Sequence, residues 1–294
     1  MENDEGYWEE CSRNGKERDM GIKKSIKTSA LILLGSGICV LLCVLFAGLF
    51  SKLQGKGSDE PVQILVLGDS IWDLVRDETG VAGVLEEKLG NAQVYNLAIK
   101  GTQAANTGNG TEDTCLIAMT EYICGQRTCE LPDEVAAKQL LSEVPYEQID
   151  YVILAYGLND YFAGVKQKNP DDYFDTSTYS GALCSGVTAL KQVCPNARFV
   201  IASPTYCQGY SYGQVVHESP YHDFGGGTVI DYTASAKAVC ASFDAIFINN
   251  FDDMNISIHN GDQYLIDATH LTEAGRKRYA ENVASYIEED IRQR

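Results

Sequence analysis

The chain has 294 residues, and 45% of them are hydrophobic, which is enough for a sizeable core and excludes a wholly disordered protein. Its formal net charge is −18 at pH 7, which disfavours nucleic acid as a partner because nucleic acid is bound through basic patches. The ten cysteines lack the paired spacing of a zinc site and are too few for a disulfide scaffold. We expect no metal and no cofactor.

The first predicted element is a transmembrane helix at residues 30–50, a stretch without a charged residue. About 20 helical residues cross the ~30 Å hydrocarbon core of a bilayer. A signal peptide has a shorter apolar region of about 7–15 residues, so an uncleaved anchor is favoured over cleavage near Gly48. Lysine and arginine are more frequent before this stretch than after it. The sequence therefore predicts a single-pass cell-membrane protein with residues 1–29 in the cytoplasm and its globular part extracellular.

A linker is predicted at residues 51–61, and a single α/β domain at residues 62–294. The predicted strands are residues 62–67, 93–98, 149–156, 199–203 and 245–249. The predicted helices are residues 80–89, 132–144, 179–193, 229–243 and 272–291, with Thr272 as the N-cap of the last. Alternating strands and helices favour a parallel sheet, and strands that are apolar on both faces need helices on both sides. We therefore expect a doubly wound domain with five strands.

Four short polar motifs lie where predicted elements meet. They are Gly68-Asp69-Ser70 after the first strand, residues 96–101 at the end of the second, Gly157-Leu158-Asn159-Asp160 after the third, and Asp267-Ala268-Thr269-His270 before the last helix. In open parallel sheets, ligands bind beyond the carboxyl ends of the strands. All four motifs are therefore expected at one edge of the sheet.

The motifs supply the groups that acyl transfer needs. A serine hydroxyl is a weak nucleophile without an adjacent base, and His270 is the candidate base for Ser70. A histidine base needs a carboxylate on its other ring nitrogen, and Asp267 precedes His270 by three residues. Taken without Ser70, both Asp267 and His270 would be interpreted as ordinary loop residues. Together the three residues predict a nucleophile, a base and an orienting carboxylate.

An oxyanion also needs hydrogen-bond donors. The candidates are the backbone N–H groups of Ser70 and Gly101 and the side-chain amide of Asn159. Gly101 lacks a Cβ, so a substrate can approach its backbone closely. Four further residues are expected to support the site, namely Gly68, Asp69, Gly157 and Asp160.

On these four motifs the chain resembles the SGNH, or GDSL-type, hydrolase family over roughly residues 63–291. The resemblance implies a three-layer α/β/α, flavodoxin-like sheet. It also implies metal-independent ester hydrolysis through an acyl-enzyme on Ser70, with Gly101 and Asn159 as oxyanion donors and Asp267 and His270 as a pair. Residues that depart from the usual family pattern are Trp72, Ala98, Ala268 and Leu271. Trp72 either narrows the pocket or packs against the sheet.

Other signals are weaker. His217 and His222 flank Pro220, which would break the helix of a zinc-protease motif, and their spacing is one residue too long. Residues 204–227 form a long predicted loop that is rich in aromatic residues. These residues have two interpretations: they contact sugar rings or an acyl group of the substrate, or they pack on one another. A disulfide between Cys124 and Cys129 is possible, but no sequence feature supports it.

The expected function is ester hydrolysis outside the membrane, with an acetyl or other small acyl ester of a small molecule or polysaccharide as substrate. A lipid-directed lysophospholipase or thioesterase using the same residues is one alternative. An O-acyltransferase or a non-catalytic surface module is another.

Overall fold

The computed structural model describes residues 60–294. The predicted cytoplasmic segment, the transmembrane helix and all but the last two residues of the linker lie outside these residues. Among residues 60–294, no helix has the length and apolar character needed to cross a bilayer.

The domain is built on a parallel sheet of five strands in the order β2-β1-β3-β4-β7. The strands of this sheet are β1 (Val62–Gly68), β2 (Ala92–Asn96), β3 (Tyr151–Ala155), β4 (Arg198–Ala202) and β7 (Ile246–Ile248). A separate antiparallel hairpin consists of β5 (Gln208–Ser211) and β6 (Gln214–Glu218). Because β2 and β3 flank β1 on its two sides, the segments that follow these three strands are neighbours.

Helices cover both faces of the sheet, since the central strands are largely apolar and most of their residues are buried. The helices are α1 (Ser70–Asp73), α2 (Val81–Leu89), α3 (Leu116–Ile123), α4 (Ala136–Leu140), α5 (Leu158–Phe162), α6 (Tyr179–Val193), α7 (Val229–Phe243), α8 (Asn250–Asp253), α9 (Gly261–Tyr264) and α10 (Glu273–Gln293). Helices α2 and α10 pack together in one layer, and α3, α6 and α7 pack together in the other. The predicted α/β fold with a five-stranded parallel sheet is confirmed.

The long predicted helices at residues 179–193 and 229–243 have these bounds in the structure. Thr272 caps α10 by accepting the Gly275 N–H at 3.1 Å. The prediction of a helix over residues 132–144 is wrong in extent. Residues 132–135 form a turn in which the Val135 N–H donates to the Pro132 carbonyl, and Val135 is extended, so α4 begins only at Ala136.

Several elements were not predicted, namely the short helices α1, α5, α8 and α9, the helix α3 and the β5–β6 hairpin. Helix α3 is apolar on most sides and buried, so no amphipathic period distinguishes it. The β5–β6 hairpin lies within the predicted loop, where Tyr212 and Gly213 form the turn with positive φ angles of 51° and 77°. The Cys124–Cys129 disulfide is not formed, because both thiols are free.

Candidate active site

Ser70 lies at the start of α1, directly beyond the carboxyl end of β1. Asp69 is the N-cap of this helix, and its carboxylate accepts the Ile71 N–H at 3.0 Å. Gly68 is needed where β1 meets β3, since a Cβ there would approach the Ala155 carbonyl oxygen to 2.9 Å. The local sequence thus turns the chain sharply and presents the Ser70 hydroxyl at the edge of the sheet.

A chain of hydrogen bonds joins Ser70, His270 and Asp267. The Nε2 atom of His270 is 3.0 Å from the Ser70 Oγ, and its Nδ1 is 2.6 Å from Asp267 Oδ2. The other carboxylate oxygen accepts the backbone N–H groups of Thr269 and His270, each at 2.7 Å. This arrangement can deprotonate a serine hydroxyl and hold the resulting imidazolium.

The surroundings of the Asp267 carboxylate favour its charged form. Partial burial favours its neutral form, but hydrogen bonds from the His270 backbone and ring hold the pKa of Asp267 below its ordinary value. The side chains of His270 and Asp267 are 32% and 50% exposed. The pair is therefore open to solvent on one side.

The candidate oxyanion donors come from the segments beyond three adjacent strands. Asn159 follows β3, and its Nδ2 donates to the Thr102 carbonyl at 2.9 Å, which leaves its second N–H for a ligand. Gly101 follows β2, is exposed, and has a φ of 75°. Within residues 60–294, the backbone N–H groups of Ser70 and Gly101 have no hydrogen-bond acceptor. These donors are available to a developing negative charge.

Buried polar contacts hold the segment after β2 against α5. The fully buried Asp160 carboxylate accepts the N–H groups of Ala104 and Ala105 at 2.9 and 3.0 Å. Gln103, also buried, donates to the Asn159 carbonyl at 3.2 Å. Burial raises the pKa of Asp160 to about 6, against the two N–H bonds that lower it. Gln103 was missed by sequence reasoning, because a polar residue in a loop gives no sign of burial.

Asp160→Ala is expected to lower the free energy of unfolding by about 2–4 kcal/mol, because two buried N–H groups lose their acceptor. Asp231 is a matched control, since its carboxylate accepts the Thr228 N–H and hydroxyl at 2.8 Å on the exposed start of α7. Asp231→Ala should cost about 1 kcal/mol or less. Urea unfolding of both variants measures the difference, and equal losses would contradict a special role for the buried carboxylate.

The pKa of the buried Asp69 carboxyl group leads us to expect that the stability of the protein depends on pH. Burial raises the pKa of Asp69 from 3.8 to about 7, although the Ile71 N–H bond lowers it. The folded protein therefore holds a proton that the unfolded chain has lost between these pH values. As pH rises through this interval, the contribution of Asp69 to the free energy of unfolding falls.

Asp69→Asn retains an acceptor for the Ile71 N–H and cannot ionise. The variant should gain about 2–4 kcal/mol of stability over the original protein at about pH 8, and almost none at about pH 4. Denaturant unfolding at the two pH values measures this gain. A gain of the same size at both would show that the charge of Asp69 is not its cause.

The remaining motif residues have mainly structural roles. Gly157 has a φ of 134°, and a Cβ there would lie 3.0 Å from the Tyr179 hydroxyl. Trp72 is fully buried, its Nε1–H donates to the Tyr279 hydroxyl at 3.2 Å, and the two rings meet edge to face. Of the two interpretations of Trp72, the structure supports packing rather than narrowing of the pocket.

His217 and His222 do come together, but as stacked rings with centroids 4.1 Å apart. No group of three or more His, Cys, Asp or Glu side chains with metal-binding geometry occurs in residues 60–294. The aromatic residues of the segment between β4 and α7 divide into two sets. Tyr206 is buried, while Tyr210, Tyr212 and Tyr221 are exposed.

The fold and this site have known relatives. The sequence model of the GDSL-like Lipase/Acylhydrolase family matches residues 66–278. The chain belongs to this family. The match spans all four motifs, and it agrees with the parallel five-stranded sheet. The protein is thus a GDSL-type hydrolase, as the resemblance implied.

Solved structures of low sequence identity share the fold. A possible lipase from Chitinophaga pinensis is 16% identical with a TM-score of 0.55, covering 77% of this chain and 98% of that one. A protein from Lactobacillus plantarum is 18% identical with a TM-score of 0.56, covering 78% and 98%. A mutant acetyl-xylooligosaccharide esterase from Geobacillus Stearmophilus is 18% identical with a TM-score of 0.50, covering 78% and 94%. No curated protein sequence matches the chain.

Proposed function

We propose that this GDSL-type hydrolase is a serine esterase that removes acetyl or other small acyl groups from carbohydrates or small molecules. The observation that carries the proposal is the hydrogen-bonded series Asp267–His270–Ser70, with distances of 2.6 and 3.0 Å. These are the distances at which a base takes a proton from a nucleophile.

In the proposed reaction, the Ser70 Oγ attacks the acyl carbonyl carbon while His270 Nε2 accepts the hydroxyl proton. The negative oxygen binds the N–H groups of Ser70, Gly101 and Asn159. The tetrahedral intermediate collapses, the alcohol leaves with the proton from His270, and the acyl group remains on Ser70. Water then attacks this ester with His270 again as base, and the carboxylic acid is released.

The exposure of the site supports small acyl groups on a bulky substrate. His270 and Asp267 keep a third to a half of their side-chain surface open. A polysaccharide can bring a short acyl branch to such a site, whereas a long acyl chain needs an enclosed apolar channel. The acetyl-xylooligosaccharide esterase with the same fold supports this substrate class.

We also propose that the hydrolase is anchored in the cell membrane through residues 30–50 and acts outside the cell. The uncharged stretch and the excess of basic residues before it support this placement. Protease treatment of intact cells tests it, because an extracellular domain is digested and one sealed inside the cell survives.

Trapping of the acyl-enzyme tests the proposed chemistry. A fluorophosphonate should add one adduct per chain, and peptide mapping should place that adduct on Ser70. Nitrophenyl esters from acetate to palmitate then test the substrate class, and the rate should fall as the acyl chain lengthens. A preference for palmitate would favour a lipid hydrolase. Acyl transfer to a glycan without release of free acid would favour an acyltransferase.

A further inference from the structure

The β5–β6 hairpin is attached directly to the segment that carries Asp267 and His270. The Gln208 N–H donates to the Ala268 carbonyl at 2.9 Å, between these two residues. The buried Gln208 side chain also packs against Gly261, where a Cβ would come within 3.1 Å of its Nε2. The hairpin therefore stands beside the active site.

The opposite face of the hairpin is fixed to the body of the domain. The His217 ring covers Gly209, where a Cβ would lie 2.1 Å from the His217 Nε2. His217 stacks on His222, whose carbonyl accepts the Tyr161 hydroxyl at 3.1 Å. Phe224 meets the Tyr161 ring edge to face at 5.0 Å. These contacts hold the base of the hairpin in one position.

The tip of the hairpin presents aromatic rings to solvent. Tyr212 is fully exposed and Tyr210 is half-exposed. The Tyr210 hydroxyl accepts a hydrogen bond from the Gln208 side chain, which holds its ring beside the active-site segment. Packing in the core therefore does not explain the positions of the Tyr210 and Tyr212 rings.

Tyr212 also adopts an unfavourable backbone conformation. Its φ of 51° is one that glycine and asparagine tolerate and bulky residues rarely adopt. A fully exposed tyrosine gains no packing energy in return. Backbone strain at an exposed residue, with no packing to offset it, motivates a binding role for this tyrosine.

We propose that the β5–β6 hairpin is a carbohydrate-binding element of the active site, in which Tyr210 and Tyr212 stack on the sugar rings of a neutral acylated oligosaccharide. The inference rests on the proposed ester hydrolysis and adds the part of the substrate beyond the acyl group. Tyrosine provides a flat apolar ring with a hydroxyl at its edge, which matches the alternating apolar and polar faces of a sugar. The net charge of −18 disfavours an anionic polymer.

The test compares two substrates in the full chain. Tyr212→Asn removes the ring and keeps a residue that accepts positive φ, and Tyr212→Phe retains the ring. With acetylated xylo-oligosaccharides, Tyr212→Asn should raise KM about tenfold, and the double variant Tyr210→Ala/Tyr212→Asn should raise it further. Tyr212→Phe should stay within about twofold of the original protein. With nitrophenyl acetate, which has no sugar, all variants should keep their activity.

A binding measurement separates this inference from the proposed reaction. Calorimetric titration of the Ser70→Ala protein with the acetylated oligosaccharide should show binding that is about tenfold weaker in Ser70→Ala/Tyr212→Asn. If the original protein hydrolyses no ester but this difference is seen, the proposed reaction fails and the hairpin role stands. If nitrophenyl acetate is hydrolysed and the difference is missing, the hairpin role fails.

Three other outcomes would also overturn the hairpin proposal. Equal loss of activity on nitrophenyl acetate would show a structural role for the tyrosines. A loss confined to nitrophenyl palmitate would show that they bind an acyl chain. A dimer that Tyr212→Asn converts to a monomer would show that they bind a second copy of the chain.

Discussion

Ser70→Ala, His270→Ala and the double variant are each expected to lose roughly 10⁵- to 10⁶-fold in kcat on nitrophenyl acetate. Ser70 and His270 touch through a single hydrogen bond of 3.0 Å. In the proposed mechanism, loss of the hydroxyl removes the nucleophile, and loss of the imidazole leaves the hydroxyl protonated. Because the two groups act in one step, the second substitution should add almost nothing to the first.

His259 provides the control for the histidine substitution, since it is exposed in the loop before α9. His259→Ala should retain full activity. Steady-state kinetics of the four variants, with circular dichroism to confirm that each is folded, complete the experiment. Losses that add up in the double variant would mean that Ser70 and His270 act independently, and the proposed acyl-enzyme mechanism would then be wrong.

Asn159→Ala is expected to lower kcat about 10²- to 10³-fold with little change in KM. In the proposed mechanism its free amide N–H binds a charge that is present only in the transition state, so its removal should not weaken binding of the ground-state ester. The substitution also removes the bond to the Thr102 carbonyl. Thermal unfolding is therefore measured together with the kinetics.

Asn169 is the matched control for this substitution. Its side-chain amide donates to Asp175 at 2.8 Å in the segment between α5 and α6. Asn169→Ala removes an amide of the same size and should leave kcat unchanged, whatever it does to the melting temperature. A rise in KM with unchanged kcat in Asn159→Ala would show that this amide binds the substrate rather than the oxyanion.

The sequence predicted the sheet because its evidence is local. Short apolar runs that end in turn residues mark the strands, and the regular period of the long helices marks α6, α7 and α10. It failed where local patterns are ambiguous. Helix α3 is apolar on most sides, and residues 132–135 begin like a helix but form a turn.

In the candidate site, too, some features could be predicted from local sequence and others could not. The positions of Ser70, Gly101 and Asn159 after strands follow from the chain order alone. The burial of Gln103 and Trp72 does not, because a residue is buried by elements that come from elsewhere in the chain. Their contacts are to Asn159 and Tyr279, which are distant in sequence.

By itself, the amino-acid sequence determined which chemical groups this hydrolase has and after which strands they occur, since strand ends and turns depend on neighbouring residues. The tertiary structure decided which of those groups meet. The contact between Ser70 and His270 spans 200 residues, and the contact between Gln208 of β5 and Ala268 joins two segments that are far apart in the chain. Both depend on the order of strands in the sheet and on the packing of its edge, which no local pattern encodes.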